Sequence, residues 1–301
     1  MAINPEKNFD IKNLTSFKIG TAIDEVFFPE NLVEFEQILT KDKNIKVFGN
    51  LSNTLISSSG IREKIILTTR INTLSISGCK VSADAGVKGP KLAQEVYRKG
   101  LSGLEFMIGF PGTVGGEVFI NASANGQSVS DKLTAVTCYS KTRGVIKLLK
   151  DEMGFGYRTS CCEKDGLAVL QAEFELDLKD EFQIKAKMDE NLIFRKSHQP
   201  SLNLPNCGSI FKNPQGESAG RLLDSIGAKG LSFGGVRVWD NHANFIVNDR
   251  NGTSLDVLEL MYIMYKRVKE RYNIELEPEI RFLGGNNKRE NELCKILYKI
   301  K

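Results

Sequence analysis

Three short segments bring together residue types that can do chemistry. NCGSIFKNP at 206–214 puts the Ser209 hydroxyl on the same short stretch as the Lys212 ammonium and the Asn213 amide. Such a turn can hold a phosphate or give up a proton; the same residues also make an ordinary Asn-Pro surface turn. GFGYRTS at 154–160 sets Arg158 beside Tyr157, with Gly154 and Gly156 loosening the backbone. An arginine fork there can take a carboxylate with two hydrogen bonds, or it is a solvated side chain on a strand. LEPEI at 276–280 alternates Glu277 and Glu279 about Pro278. An extended backbone turns both to one face, where one serves as an acid or an orienting carboxylate, or both are simply solvated.

Glycine supplies a fourth signal. Positions 100, 103, 109, 112, 115, 116 and 126 are all glycine, with FPGTVGG at 110–116 at the centre and INASANG following at 120–126. Glycine lets backbone N–H groups approach a phosphate closely and form an anion-binding nest; it also makes tight turns between short strands. Neither common nucleotide fingerprint, G-x-G-x-x-G or G-x-x-x-x-G-K-[ST], occurs in the chain.

Other chemistries are disfavoured by what is scarce. There are two histidines, His198 and His242, so a histidine-rich metal site is not expected. His242, in NHANF, reads as a hydrogen-bonding core residue and His198 as a surface one. The six cysteines contain no C-x-x-C, only the adjacent Cys161-Cys162, which removes the common zinc spacings. Scattered cysteines and an N-terminus, MAINPEKNFD, without an apolar run predict a reduced, cytoplasmic protein without an export signal. No run of 18 apolar residues suggests a membrane span; the richest stretch, LELMYIMY at 258–265, has helical spacing. Forty-one basic against 37 acidic residues give +4. That suits anionic small ligands and is far too little to argue for nucleic acid.

The elements that must position these segments are of both kinds. NLVEFEQILTK spaces Leu32, Phe35, Ile38 and Leu39 as a helix, between strands at DEVFFP and KVFG. Further strands are expected at 64–69 and 75–86, and a helix at 90–99 with Pro90 in its first turn and Gly100 at its end. LTAVTCYS, GVIKLLK and LAVLQAEFELDL make the middle of the chain rich in strands. Residues 184–198 read as a helix carrying Met188, Leu192 and Arg195, and the proline-bearing 199–208 as a linker. A second α/β part follows. NFIVND is a strand. Ser254 caps a helix with an apolar stripe of Leu255, Leu258, Met261, Tyr262, Tyr265, Val268 and Tyr272, and IELEPEIRFLG ends with strand character.

Taken in order, these segments resemble those of the UDP-N-acetylenolpyruvoylglucosamine reductases, also called UDP-N-acetylmuramate dehydrogenases. The resemblance runs collinearly from about Asn13 to Gly284 through LTSFKIG, VFGNLSN, GLSGLEFMIGFPGTVGG, INASANG, FGYRTS, RKSHQPSLNLPNCGSIFKNP, AGRLLDSIGAKG, HANFIVN and LEPEIRFLG. It implies an α+β protein: an FAD-binding domain of the type shared with vanillyl-alcohol oxidase-like flavoproteins, in two α/β lobes, plus a C-terminal α/β substrate domain. The implied boundaries are 1–70 for the first lobe, 71–190 for the second and 200–282 for the substrate domain, with 283–301 packing on the first lobe. It also implies the shorter family type, without an inserted tyrosine-bearing loop.

The resemblance implies the chemistry as well. Electrons pass from NADPH through FAD to the terminal carbon of the enolpyruvyl group of UDP-N-acetylglucosamine enolpyruvate, a step of peptidoglycan precursor synthesis. Ser209 matches the serine that protonates the enol intermediate, Arg158 the arginine at the enolpyruvyl carboxylate and Glu279 the glutamate that works with it. Lys212 and Asn213 fall at the substrate, with Asn213 at its diphosphate. Gly49, Asn50, Leu51, Ser52 and Asn53, with Pro111, Gly112, Thr113, Gly115 and Gly116, would cradle FAD. A monomer acting on small molecules, with no nucleic acid, membrane or metal, is implied. Three stretches depart from the family pattern: Leu51 stands for a glycine of G-x-G-S-N, Ser123 and Asn125 alter N-A-G-A-Y-G, and Trp239-Asp240-Asn241 replaces a Ser-Glu-Lys-like run before HANF. A non-catalytic flavin- or UDP-sugar-binding protein on the same fold is the alternative, and it would differ by lacking substrate-dependent NADPH oxidation.

Overall fold

The computed structural model describes residues 3–42, 44–61 and 63–299. The chain forms two compact units: one of residues 1–6, 26–50 and 63–195, the other of residues 7–25, 51–62 and 196–301. These units do not follow one for one the domain boundaries that the resemblance implies, 1–70, 71–190 and 200–282. Residues 7–25 and 51–62 belong with the C-terminal part because Phe17, Ile19 and Leu55 bury their side chains in its core, beside Phe211 and Met261.

The first unit carries a five-stranded antiparallel sheet in the order Gly144–Leu149, Leu133–Ser140, Leu167–Glu175, Lys80–Asp84, Leu74–Ser77. The expected single strand over 75–86 is a hairpin, since Gly78 at φ +57 supplies the left-handed residue its turn needs. Helix Gly89–Tyr97, begun by Pro90 and closed by Gly100 at φ +64, lies where the sequence predicts it. Its Leu92, Ala93 and Val96 share a core with Val81, Val114, Val118 and Phe174. A parallel β-α-β element stands beside this sheet. Helix Leu32–Lys41, capped by the Asn31 side chain, connects Val26 and Phe27 to strand Lys46–Phe48, both pairing with Ile65–Leu67. Phe35, Ile38 and Leu39 bury themselves against Ile66, Tyr139 and Leu170. Helix Glu181–His198 turns Ile184 and Met188 inward, whereas Leu192 stays 40% exposed.

The second unit is built on a four-stranded antiparallel sheet in the order Asn206–Ser209, Phe245–Asn248, Val236–Val238, Ser232–Phe233. The expected linker over 199–208 thus ends as an edge strand. Helix Ser254–Tyr272 begins one residue earlier in logic than expected. Thr253, not Ser254, is its cap: the Thr253 hydroxyl accepts from Asp256 N at 3.2 Å, and the Asp256 carboxylate accepts from Thr253 N at 2.9 Å. Its buried stripe is also wider than expected. Val257, Leu260 and Met264 are fully buried and Leu255, Tyr262 and Tyr272 only partly, because helices Ala219–Ser225 and Lys288–Leu297 and the sheet pack on several sides of it. The terminal helix Lys288–Leu297 packs on residues of the N-terminal stretch. Leu293, Cys294 and Leu297 join this core, which includes Phe17, Ile19 and Leu55 of the stretch 1–70.

Ser254 is freed from capping for another task. Its hydroxyl and that of Ser57, at 2.7 Å, both donate to Glu290, which is fully buried. Glu290→Ala leaves both hydroxyls without an acceptor, at roughly 1–3 kcal/mol each. The expected result is a loss of about 2–5 kcal/mol of stability in chemical denaturation, with no change in the residues that bear on chemistry. Among the described residues no helix is long and apolar enough to cross a membrane.

Candidate active site

The glycine-rich loop of the first unit is laced to its neighbours by main chain. Val114 N donates to Val87 O at 2.8 Å and Gly115 N to Ala85 O at 2.9 Å, while Gly89 N reaches Gly112 O at 3.2 Å. The N–H groups of Val114 and Gly115 are thus committed to the fold. Gly115 is there for close approach: a Cβ on it would lie 2.7 Å from the Ala85 Cβ. The same loop meets residues 49 and 50, since the Asn50 amide donates to Pro111 O at 2.8 Å. A Cβ on Gly49 would stand 2.3 Å from the Thr113 hydroxyl oxygen, which is buried and has no partner. A buried hydroxyl facing a bare glycine is what a bound polyanion would satisfy. The loop therefore fits a flavin nucleotide held at Gly49, Asn50 and Thr113.

Leu51, Ser52 and Asn53 continue into the second unit and do different work there. Leu51, which stands for a glycine of the family pattern, takes the left-handed conformation, φ +52, and buries its side chain at 3% exposure. Burial of that side chain offsets a conformational cost on the order of 1 kcal/mol. Ser52 O accepts from the Cys207 thiol at 3.3 Å, and the Asn53 amide donates to Glu279 O at 3.0 Å. Asn53 therefore anchors the segment that carries Glu279.

Ser209 and Glu279 come together on one backbone ladder. Ser209 ends the strand Asn206–Ser209, opposite Phe245. Immediately after it, Glu279 N donates to Ile210 O at 2.7 Å and Lys212 N to Glu277 O at 2.8 Å, around an antiparallel bridge between Phe211 and Pro278. Asn244 fixes this ladder from behind: its side chain accepts from Phe211 N and donates to Phe211 O, at 3.0 and 2.8 Å. His242, read as a hydrogen-bonding residue, accepts from Asn244 N at 3.1 Å, and burial lowers its pKa. The two glutamates part company. Glu277 is exposed and pairs with Lys212 at 2.5 Å, while Glu279 is half-buried. The Lys212 ammonium, which the resemblance places at the substrate, is thus paired with a carboxylate. The Asn213 side chain accepts from Ala219 N at 3.0 Å, which orders the start of helix Ala219–Ser225.

Arg158 belongs to the first unit and sits in a left-handed loop residue, φ +55, rather than on a strand. Its Nη1 donates to the Ser123 hydroxyl at 2.7 Å, and its guanidinium lies 5.3 Å from the Tyr157 ring centre. Two features escaped the sequence. Ser123 stood out only as a departure from a pattern, with nothing to say that it touches Arg158. Glu117, in the glycine loop, is 4% exposed with both carboxylate oxygens unpartnered, and burial pushes its pKa up to about 8. Its only signal in the sequence is a charge inside GTVGGEVF. All six cysteines are free thiols. Burial pushes Cys294 up to about 12 and Cys161 to about 11, so neither is a ready nucleophile. Among the described residues no cluster of His, Cys, Asp and Glu could hold a metal ion.

A flavin cradle in one unit and a serine–glutamate ladder in the other mark a flavoprotein with a separate C-terminal domain. Residues 25–148 match the family model described as FAD binding domain, and residues 199–283 match that described as UDP-N-acetylenolpyruvoylglucosamine reductase, C-terminal domain. The UDP-N-acetylenolpyruvoylglucosamine reductase of Lactococcus lactis subsp. cremoris strain MG1363 is 36% identical over 281 residues, 92% of this chain and 94% of its own length. That of Bacillus pumilus strain SAFR-032 is 36% identical over 288 residues, covering 93% and 94%. The crystal structure of the UDP-N-acetylenolpyruvylglucosamine reductase from Thermus caldophilus superposes with a TM-score of 0.81 at 34% identity, over 93% of this chain and 99% of that one. The chain belongs to the UDP-N-acetylenolpyruvoylglucosamine reductase family, and its α+β fold is that of the family.

Proposed function

We propose that the chain is an FAD-dependent oxidoreductase that reduces UDP-N-acetylglucosamine enolpyruvate to UDP-N-acetylmuramate, with NADPH as electron donor, for peptidoglycan precursor synthesis. The observation that carries this reading is the ladder that sets Ser209 beside Glu279 in the domain matching these reductases. FAD, when bound, supplies the two-electron chemistry. The chain's own residues do the rest. Thr113, with Gly49 and Asn50, holds the cofactor. Arg158 takes the substrate carboxylate, where negative charge builds as the double bond is reduced, and Glu279 works with it there. Each such preorganised contact is typically worth about 3–4 kcal/mol in the transition state. Ser209 gives a proton to the carbon next to the carboxylate. Residues 200–282 receive the UDP-sugar, with Asn213 toward the diphosphate. The protein acts as a cytoplasmic monomer on small molecules, apart from membrane and nucleic acid.

The test is an absorbance spectrum of the purified protein followed by NADPH oxidation with and without the enolpyruvyl substrate. A yellow protein with substrate-dependent oxidation is expected. A protein that stays colourless after added FAD, or that binds FAD without this activity, overturns the reading in favour of a binding protein on the same fold.

Thr113→Val probes the cradle alone. It removes the unpartnered hydroxyl and little volume. A hydrogen bond to a charged group is worth roughly 1.5–3 kcal/mol, so the FAD dissociation constant of the stripped protein should rise about 10- to 100-fold. Flavin fluorescence titration reads it, and an unchanged constant removes Thr113 from the site.

A further inference from the structure

We infer that Ser123 is a positioning residue, whose hydroxyl fixes the Arg158 guanidinium in the orientation in which it meets the substrate carboxylate. This rests on the role proposed for Arg158 above.

The loop that carries Arg158 is tight. Gly156 and Thr159 bridge each other at 3.1 and 3.5 Å, with Arg158 left-handed between them. A left-handed residue directs its side chain away from the course an extended strand would give, so the direction of Arg158 depends on how the loop is docked. Hydrogen bonds dock it on the segment 119–123. The Asn121 amide donates to Gly156 O at 3.1 Å, the Ser160 hydroxyl to Phe119 O at 2.7 Å, and Arg158 Nη1 to the Ser123 hydroxyl at 2.7 Å. The first two place the loop; Ser123 holds the guanidinium, its hydroxyl taking Nη1 at 2.7 Å and its main-chain oxygen lying 3.5 Å from the same nitrogen.

Ser123 is itself well placed to act as a fixed point. It opens a miniature hairpin in which Ser123 pairs with Ser128 and Ala124 with Gln127. Asn125 and Gly126 form the turn at φ +52 and +78, as a two-residue hairpin loop requires. The Asn125 amide ties that turn to the buried Asn191 at 2.7 Å. Both Ser123 and Asn125 are departures from the family pattern noted in the sequence, and both serve this one anchor. An arginine is a long side chain with much rotamer freedom to lose. Anchoring one nitrogen of its fork beforehand lowers what substrate binding must order.

The test compares two ligands and three variants. UDP-N-acetylmuramate carries the carboxylate; UDP-N-acetylglucosamine lacks it. Binding of each is read by perturbation of the bound flavin's absorbance, with steady-state KM and kcat alongside. Ser123→Ala should weaken the carboxylate ligand about tenfold, the scale of one charge-assisted hydrogen bond. It should raise the substrate KM by a similar factor, leave the other ligand unchanged and keep the melting temperature. Ser123→Thr, which keeps the hydroxyl, should restore binding. A merely structural serine would shift both ligands together or move only the melting temperature, and either result overturns the inference. Arg158→Ala separates the two readings. If it spares the carboxylate ligand, the role of Arg158 itself is wrong. If it weakens that ligand while Ser123→Ala does not, only the positioning role of Ser123 fails.

Discussion

Ser209→Ala should keep NADPH-driven bleaching of the bound flavin at its normal rate while substrate-driven recovery of the yellow form slows roughly 10²- to 10⁴-fold, the usual worth of a positioned proton donor. The structure makes this a clean variant. Ser209 is half-buried at the end of an edge strand whose pairing runs through its backbone, opposite Phe245. The bend before it is set by Gly208, left-handed at φ +79, whose N–H donates to the Asn206 side chain at 3.1 Å. Neither contact involves the hydroxyl, so stability should change by less than about 0.5 kcal/mol. Lys212 offers no relief for the poor acidity of an alcohol, because Glu277 neutralises it. Stopped-flow absorbance separates the two half-reactions. Recovery at the normal rate in the variant means that another group delivers the proton.

Local signals were read well from the sequence where one element decides its own form. Helix Leu32–Lys41 appeared with its predicted apolar face, and the strands Leu133–Ser140, Gly144–Leu149 and Leu167–Glu175 formed in the runs expected to hold them. The misses are contacts between residues far apart in the chain. Thr253 and Ser254 are both good caps by type; Glu290, 36 residues on, decides that Ser254 turns inward. Residues 7–25 join the C-terminal core through Phe17 and Ile19, whose burial no periodicity announces. The site follows the same rule. Residue by residue, a serine before Lys-Asn-Pro and an alternating glutamate pair left function open, and the resemblance supplied the roles. Only the fold could add that Lys212 faces Glu277 and that Arg158 rests on Ser123.

Glu117→Gln should flatten the pH dependence of stability between about pH 4.5 and pH 8 in the protein stripped of FAD. The Glu117 carboxyl is 4% exposed, and neither oxygen has a partner. It fits only because Gly89 and Gly112 have no side chains: a Cβ there would come within 2.5 and 3.0 Å of Oε1. Burial without compensation raises its pKa from 4.5 to about 8. Below pH 4.5 the folded and unfolded chains both carry the proton, and the group contributes no slope. Between about 4.5 and 8 the folded chain keeps a proton that the unfolded chain has released, so stability falls as pH rises, by up to about 1.4 kcal/mol per pH unit. Above about 8 the folded form ionises too, and the accumulated loss levels off on the order of 4–5 kcal/mol. Glutamine keeps the size and removes the titration. Denaturant unfolding at pH 5 and pH 8.5 should therefore show the variant gaining several kcal/mol on the parent at the higher pH and little at the lower. Parallel curves would mean that the carboxylate has found a counter-charge or water. The position matters beyond stability, since Gly112, which Glu117 touches, precedes Thr113 in the loop proposed to hold FAD. A negative charge arriving beneath it opposes a pyrophosphate. The parent's grip on FAD should then loosen as pH passes about 8, while that of Glu117→Gln holds.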